Sequence, residues 1–315
     1  MNHFQSKLLV FLKGLGMGAA DIVPGVSGGT IAFITGIYEN LLDAIKSIDR
    51  EALKLLFSFQ LKAFWEHVNG TFLFPLLLGI GLSIFTLARV AHYMLENHPI
   101  MLWSFFFGLV LISAFSVFQK AEERNIKSVI AGIIGTVVAY VITEASPATT
   151  PDNYLFIFLS GAIAICAMIL PGISGSFILL ILGKYQFIMG AIKDLNIAVI
   201  LVFGAGCILG LLSFARIVSW LLKKYGAITI ALLAGFMLGS LNKIWPWKQT
   251  TSFRINSKGE SVPFIQENIM PQHYMEKTGN DPHIFLAILF FALGILIVVS
   301  LEKFAKYKSE KERYG

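Results

Sequence analysis

Seven apolar stretches, at residues 72–88, 101–118, 129–142, 154–170, 197–215, 228–241 and 284–301, leave this chain little freedom in how it can fold. Several approach the roughly 20 residues with which an α-helix crosses the hydrocarbon core of a bilayer. Within lipid every backbone N–H and C=O must be satisfied by the chain itself, which favours helices, so the fold is read as an all-α, polytopic membrane protein. Composition agrees: 56% of the 315 residues are hydrophobic and 14% charged, a balance that a water-exposed surface does not carry. The net charge of +6 does not mark a nucleic-acid binder, because the basic residues sit in short connections and in the 304–315 tail rather than on a basic domain. Cys166 and Cys207 lie inside apolar runs and read as small hydrophobes, with neither a disulfide nor a metal implied. Lys7 and Lys13, followed by the small residues 18–20, imitate a signal peptide. Lys13 splits the apolar run, however, and the sequence after it recurs later, so the region is expected to be mature structure.

That recurrence organises the chain. PGVSGGTIAFITGIYENLLDAI from Pro24 aligns without a gap on PGISGSFILLILGKYQFIMGAI from Pro171, at an offset of 147 residues. A second match, at an offset of 127, pairs Gly79 with Gly206, Leu82 with Leu209, Ala88 and Arg89 with Ala215 and Arg216, Gly108 with Gly235, and Ser113 with Ser240. Residues 1–145 form repeat 1 and residues 154–303 repeat 2, joined into one membrane domain with a basic tail at 304–315. Each copy holds a Pro-Gly-Ser-Gly element, a span ending in Ala-Arg, a span with the matched glycine, and a third span without obvious identity. Weak internal symmetry of this kind is common among transporters.

Lys and Arg in short flanks are retained in the cytoplasm, which places Lys120, Arg124 and Lys127, Lys223 and Lys224, and both termini inside. The EASPATTPDN segment, with no basic residue, belongs outside. Three full spans per copy satisfy this pattern. They also invert the second copy relative to the first, provided each Pro-Gly-Ser-Gly element is a re-entrant hairpin that enters and leaves on one side. Residues 248–282 then fall outside as a loop or small cap. Residues 49–67 are expected to lie along the inner surface as an amphipathic helix.

Pro24 and Gly25, and again Pro171 and Gly172, break a helix in apolar surroundings, since proline lacks a donor and glycine tolerates unusual backbone angles. Broken backbone survives at membrane depth only when packed in protein or lining a polar cavity. Ser27, Gly28, Gly29 and Thr30, with Ser174, Gly175 and Ser176, would begin half-helices whose amides and dipoles attract an anion such as phosphate. The competing reading is a kink that only helps helices pack. Arg89 and Arg216 suit phosphate bidentately; alternatively both snorkel to the membrane surface. Asp21 and Glu39 have no acidic counterpart in the second copy, where Met168 and Gln186 stand. They are candidates for proton coupling to anion release; the alternative is that Asp21 caps backbone amides and Glu39 reaches the inner surface. Lys184, opposite Ile37 of the first copy, could add charge to the outer mouth; alternatively it snorkels to the membrane surface. His92 and His98 flank a turn without metal-ligand spacing, so no metal and no cofactor is expected.

The stretches MGAADIVPGVSGGT and AMILPGISGSFILLILGKY closely resemble the PopT family of bacterial polyprenyl-phosphate transporters, with the likeness running over about residues 14–301. The resemblance implies a flippase, not an enzyme, that returns undecaprenyl phosphate from the outer to the inner leaflet of the bacterial cytoplasmic membrane for reuse in cell-envelope synthesis. The implied partners are that lipid and the surrounding membrane lipids; self-association into a homo-oligomer is left open. Two alternatives remain. Integral-membrane undecaprenyl-diphosphate phosphatases carry a Pro-Gly-x-Ser-Arg-Ser element, but Gly28 and Gly175 stand here where that arginine would be. A channel or carrier for a small soluble anion would use the same half-helix physics without a lipid tail.

Overall fold

A computed structural model describes residues 3–23, 26–119, 121, 125–145, 150–255 and 261–314. The first copy comprises α1 (His3–Ile22), α2 (Gly28–Ile34), α3 (Tyr38–Lys46), α4 (Arg50–Phe57), α5 (Leu61–His67), α6 (Gly70–Asn97), α7 (Pro99–Gln119) and α8 (Ile126–Glu144). The second comprises α9 (Tyr154–Ile169), α10 (Gly175–Ile181), α11 (Tyr185–Lys193), α12 (Ile197–Lys224), α13 (Gly226–Ser240), a 3-10 turn (Leu241–Ile244), strands β1 (Lys248–Ile255) and β2 (Ser261–Asn268), α14 (Pro271–Thr278) and α15 (Ile284–Tyr314). Among the described residues six helices are long and apolar enough to cross a membrane, or seven if the bent pair α10 and α11 counts as one. The six are α6, α7 and α8 with α12, α13 and α15, three in each copy. Side-chain caps set several starts: Asn125, Asn153 and Asn196 accept from the amides of Ser128, Phe156 and Val199. Half of the α7 span and half of the α13 span are buried, against 28% or less in the other four, so these two form the inner layer. The outer helices turn residues such as Phe85, Ile133, Leu201 and Phe285 outward, as lipid contact requires.

Glycines let the paired helices touch backbone to backbone, as small residues do in lipid, where the hydrophobic effect gives helices no reason to associate. A Cβ on Gly14 of α1 would collide with the carbonyl of Leu76 in α6, and one on Gly161 of α9 with that of Phe203 in α12. Reciprocally, Gly79 faces the Phe11 carbonyl and Gly206 the Phe158 carbonyl. The α1 and α9 positions differ by 147 and the α6 and α12 positions by 127, the same offsets as in the sequence. The pairing continues across the copies: Gly108 of α7 faces Phe291 in α15, and Gly235 of α13 faces Gly132 in α8. Gly294 faces Phe105 and Gly135 faces Leu232. The third spans, which share no obvious identity, are thus related at an offset of 159. Direction follows from the same contacts. Gly14 meets Leu76 while Gly18 meets Ile80, so α1 and α6 run parallel and the chain between them returns to the face where α1 began.

Four expectations are corrected. The chain is not wholly helical: residues 248–282, read as a loop or cap, carry the antiparallel β1–β2 hairpin and α14. Its polar strands sit outside the apolar spans, where backbone can pair in a sheet. Trp245 and Trp247 pin it through Nε1 hydrogen bonds to Ile269 O (2.9 Å) and Pro282 O (2.8 Å). The spans expected to end at Ala-Arg run on to Asn97 and Lys224, because nothing after the arginine breaks the helix. Residues 49–67 are two helices rather than one, parted where Phe59 adopts φ 55°. Their apolar side chains, Leu53, Phe57, Leu61 and Trp65 among them, are exposed in the manner of a surface-lying segment. The Ala52 amide and the His67 ring, 3.1 Å away, hold the Asp49 carboxyl below the usual carboxylate range.

Lys184 corrects the fourth. It is 1% exposed and, rather than lending a free charge to an outer mouth, donates to Thr150 O at 2.6 Å and pairs with Asp152. Removing Asp152 should therefore destabilise more than removing the lysine. Asp152→Ala leaves a buried ammonium on one carbonyl, an expected cost of about 2 kcal/mol, below the ~3–5 kcal/mol of fully buried pairs because Asp152 is 63% exposed. Lys184→Met refills the volume with apolar atoms and should cost less than about 1 kcal/mol. Thermal unfolding of the two purified variants tests the order.

Candidate functional site

The two chain breaks meet in the interior. Ser27, fully buried ahead of α2, accepts from the Gly29 amide at 3.1 Å and donates its own hydroxyl proton to Met168 O at 3.0 Å. Thr30, also fully buried, accepts from the Gly172 amide at 2.9 Å. Tyr38 donates to Ile169 O at 3.3 Å, and a Cβ on Gly29 would stand 2.6 Å from that same carbonyl. The breaks thus satisfy one another, the requirement for irregular backbone away from water. Pro24 and Gly25 lie outside the described residues. Gly172 has φ 90°, a conformation that suits only glycine, and packs against Ser240 and Met237 at the end of α13. Gly36 and Gly183, at φ 70° and 66°, turn the chain after α2 and α10 at equivalent positions. After Gly183 the axis of α11 is bent 110° from that of α10.

Chemically the two breaks differ. In the first, Asp21 Oδ1 accepts from the Gly28 amide at 2.7 Å, so an internal carboxylate occupies the positive start of α2. Asp21 therefore caps, as one of the two sequence readings had it. In the second, Met168 takes the place of Asp21, and the hydroxyls of Ser174 and Ser176 lie 2.8 Å apart. Gly175 presses on Ala164 O, where a Cβ would come within 2.6 Å.

The remaining candidates stand apart from the breaks. Arg89 is exposed on α6. Arg216 is exposed on α12, donating to Leu212 O at 2.9 Å and to Lys46 O, at the end of α3, at 3.4 Å. Glu39 is exposed on α3, in a shallow cleft with Asp43, Ser219 and Lys223. Asp43 bridges Lys46 at 2.6 Å and Lys223 at 3.8 Å, tying α3 to α12. Sequence reasoning passed over Met168 and Ile169, which act through their carbonyls. A backbone acceptor leaves no residue-type signal. It also passed over Lys243 and Lys248, whose ammonium groups lie over the rings of Phe177 (4.2 Å) and Trp103 (4.9 Å). A lysine just past the apolar run at 228–241 was the available clue. No cluster that could hold a metal ion occurs among the described residues.

Span-length helices packed by glycine around two chain breaks that complete each other define a multi-pass helical membrane protein. The chain belongs to the VCA0040-like family, described as undecaprenyl phosphate translocase-like, whose pattern matches residues 17–262. It is 48% identical over 299 residues to a protein of Vibrio cholerae named polyprenyl-phosphate transporter, covering 95% of this chain and 97% of the relative. A Staphylococcus aureus protein of the same name is 35% identical over 260 residues, covering 77% of this chain and 87% of the relative. These names indicate a transporter rather than an enzyme. No solved structure matches the chain.

Proposed function

We propose that this protein returns undecaprenyl phosphate from the outer to the inner leaflet of a bacterial cytoplasmic membrane, by alternating access of two inverted halves. The observation that carries the reading is the contact between the two breaks, Ser27 to Met168 and Thr30 to Gly172, deep in an apolar helical protein. The two relatives, named for transport of a polyprenyl phosphate, fit the same substrate. Inversion is supported by helix direction. Gly132 meets Gly235 and Thr136 meets Gly239, so α8 and α13 run parallel, whereas α7 and α8, joined by a short connection, run opposite ways. The matched spans α7 and α13 then point in opposite directions.

In this reading the breaks exchange their mutual hydrogen bonds for bonds to the phosphate when the halves separate, and the prenyl tail stays in lipid. Pro24, Gly25, Ser27, Gly28, Gly29 and Thr30 serve one side of the head group, and Pro171, Gly172, Ser174, Gly175 and Ser176 the other. Arg89 and Arg216 steer the head group along α6 and α12. Asp21 supplies proton coupling: protonation weakens its charge-assisted bond to the Gly28 amide and frees that donor for an anion. Glu39, beside the Asp43–Lys223 pair, is the second coupling group.

A liposome assay following labelled polyprenyl phosphate between leaflets, with and without a proton gradient, tests the proposal. Transfer without release of inorganic phosphate is the expected result, faster when a gradient is imposed. Phosphate release would instead mark a phosphatase. Displacement of the lipid by inorganic phosphate at comparable concentrations would mark a soluble-anion carrier.

A further inference from the structure

We infer that Lys243 and Lys248 form a cationic recognition site for a phosphomonoester beside the second chain break, so that the two breaks divide the work of the transporter. The inference rests on the functional reading above and names further residues of the same site. Its starting point is the inequality of the breaks: the amide that would meet an anion in the first is already held by Asp21, and the second has methionine there. A negatively charged head group is repelled from the first and free to approach the second.

The second break also has cations within reach. Gly172 packs on Ser240, with a Cβ there falling 2.7 Å from the Ser240 hydroxyl, and Lys243 follows three residues later. The Lys243 ammonium stands 4.2 Å from the ring centroid of Phe177, the residue after Ser176. Lys248, the first residue of β1, donates to the backbone carbonyl of Lys243 and lies over Trp103. Among the described residues no carboxylate comes within 4.0 Å of either ammonium; the nearby Glu144 instead accepts from Asn242 at 2.5 Å. Burial, with Lys243 adding to it, pushes the Lys248 ammonium down to about 7.

Two lysines gathered with no carboxylate within 4.0 Å among the described residues repel each other, a cost that a doubly charged oxyanion removes. The aromatic faces orient each ammonium while leaving N–H donors for phosphate oxygens. Among the described residues of copy one no such pair of lysines stands beside the break. The position matching Lys243 is Ser116, which donates to Glu302 at 3.1 Å. The cations thus belong to the copy that lacks the internal carboxylate, and the hairpin at 248–268 acquires a purpose in presenting Lys248.

Binding to the full-length protein in nanodiscs provides the test, with labelled polyprenyl phosphate, neutral polyprenol and inorganic phosphate as separate probes. Lys243→Gln should weaken polyprenyl phosphate about tenfold to a hundredfold, the range of a lost charged hydrogen bond. Polyprenol binding should be unchanged, Lys243→Arg should recover most of the loss, and Lys277→Gln, on exposed α14, should match wild type. Wild-type affinity in both Lys243→Gln and Lys248→Gln overturns the inference and leaves the transporter reading standing. If the wild-type protein ignores polyprenyl phosphate, the transporter reading fails. The inorganic phosphate series then decides the cationic site, and equal or absent binding across wild type and variants overturns it. Should Lys243→Gln not yield monodisperse protein, Lys248→Gln and Lys243→Arg decide on the same criteria.

Discussion

Ser27→Ala combined with Thr30→Val is expected to slow polyprenyl-phosphate flipping at least tenfold while the protein still inserts and purifies as a single species. Both replacements are close in shape to the native side chains, so packing around α2 is nearly preserved. What goes is the polar link between the breaks: the Ser27 bond to Met168 O, its cap on the Gly29 amide, and the acceptor for the Gly172 amide. Losing the cap costs about 1 kcal/mol. Leaving a buried amide without an acceptor costs about 1–3 kcal/mol. Together these remain below the ~5–15 kcal/mol of typical folding stability, so a folded population survives. A tenfold rate loss needs only about 1.4 kcal/mol at the barrier, the scale of one hydrogen bond that Ser27 or Thr30 would otherwise make to the phosphate as the halves separate. Leaflet exchange in liposomes, normalised to protein incorporated, measures the effect; wild-type exchange would remove the breaks from the mechanism.

The second large effect concerns assembly. Gly206→Ala should cost about 3 kcal/mol or more, at or beyond the upper end of ordinary overpacking, whereas Gly204→Ala, two residues away on the same helix, should be neutral or slightly stabilising. The added methyl at 206 runs into the Phe158 carbonyl, part of a rigid helix that cannot yield locally, while at 204 it meets open space. Removing a mid-helix glycine there gains up to about 1 kcal/mol of helix propensity. Gly79→Ala against Gly81→Ala repeats the contrast in the first copy, where 79 faces the Phe11 carbonyl and 81 faces nothing. Melting of the four variants in detergent checks the pairs, and equal melting temperatures within each would contradict the close helix approach.

Much of this architecture is legible in the residues. The apolar runs locate the six span-length helices found among the described residues, and the offsets of 147 and 127 recur in matching glycine contacts, Gly14 with Gly161 and Gly79 with Gly206. The third spans escape that comparison because their equivalence resides in single contacts, Gly135 on Leu232 and Gly294 on Phe105, which leave neighbouring positions free to diverge. The hairpin escapes because a polar, mixed-charge stretch such as KQTTSFRI carries little strand signal before its partner is known. At the site, proline and glycine mark the breaks, yet their partners are carbonyls and amides supplied by distant segments. Asp21 shows the limit most clearly: one carboxylate suits both capping and proton exchange, and only its 2.7 Å approach to Gly28 shows the capping.

The exchange of third spans, α8 against α13 and α15 against α7, has a consequence for biosynthesis. When α8 leaves the ribosome, the helix that will cover its glycines is still about 90 residues from being made. Neither half of the polypeptide is then expected to be a self-sufficient folding unit. Chains severed within 146–153 should recover shape only when both fragments are made in the same cell, each completing a layer the other leaves unfinished.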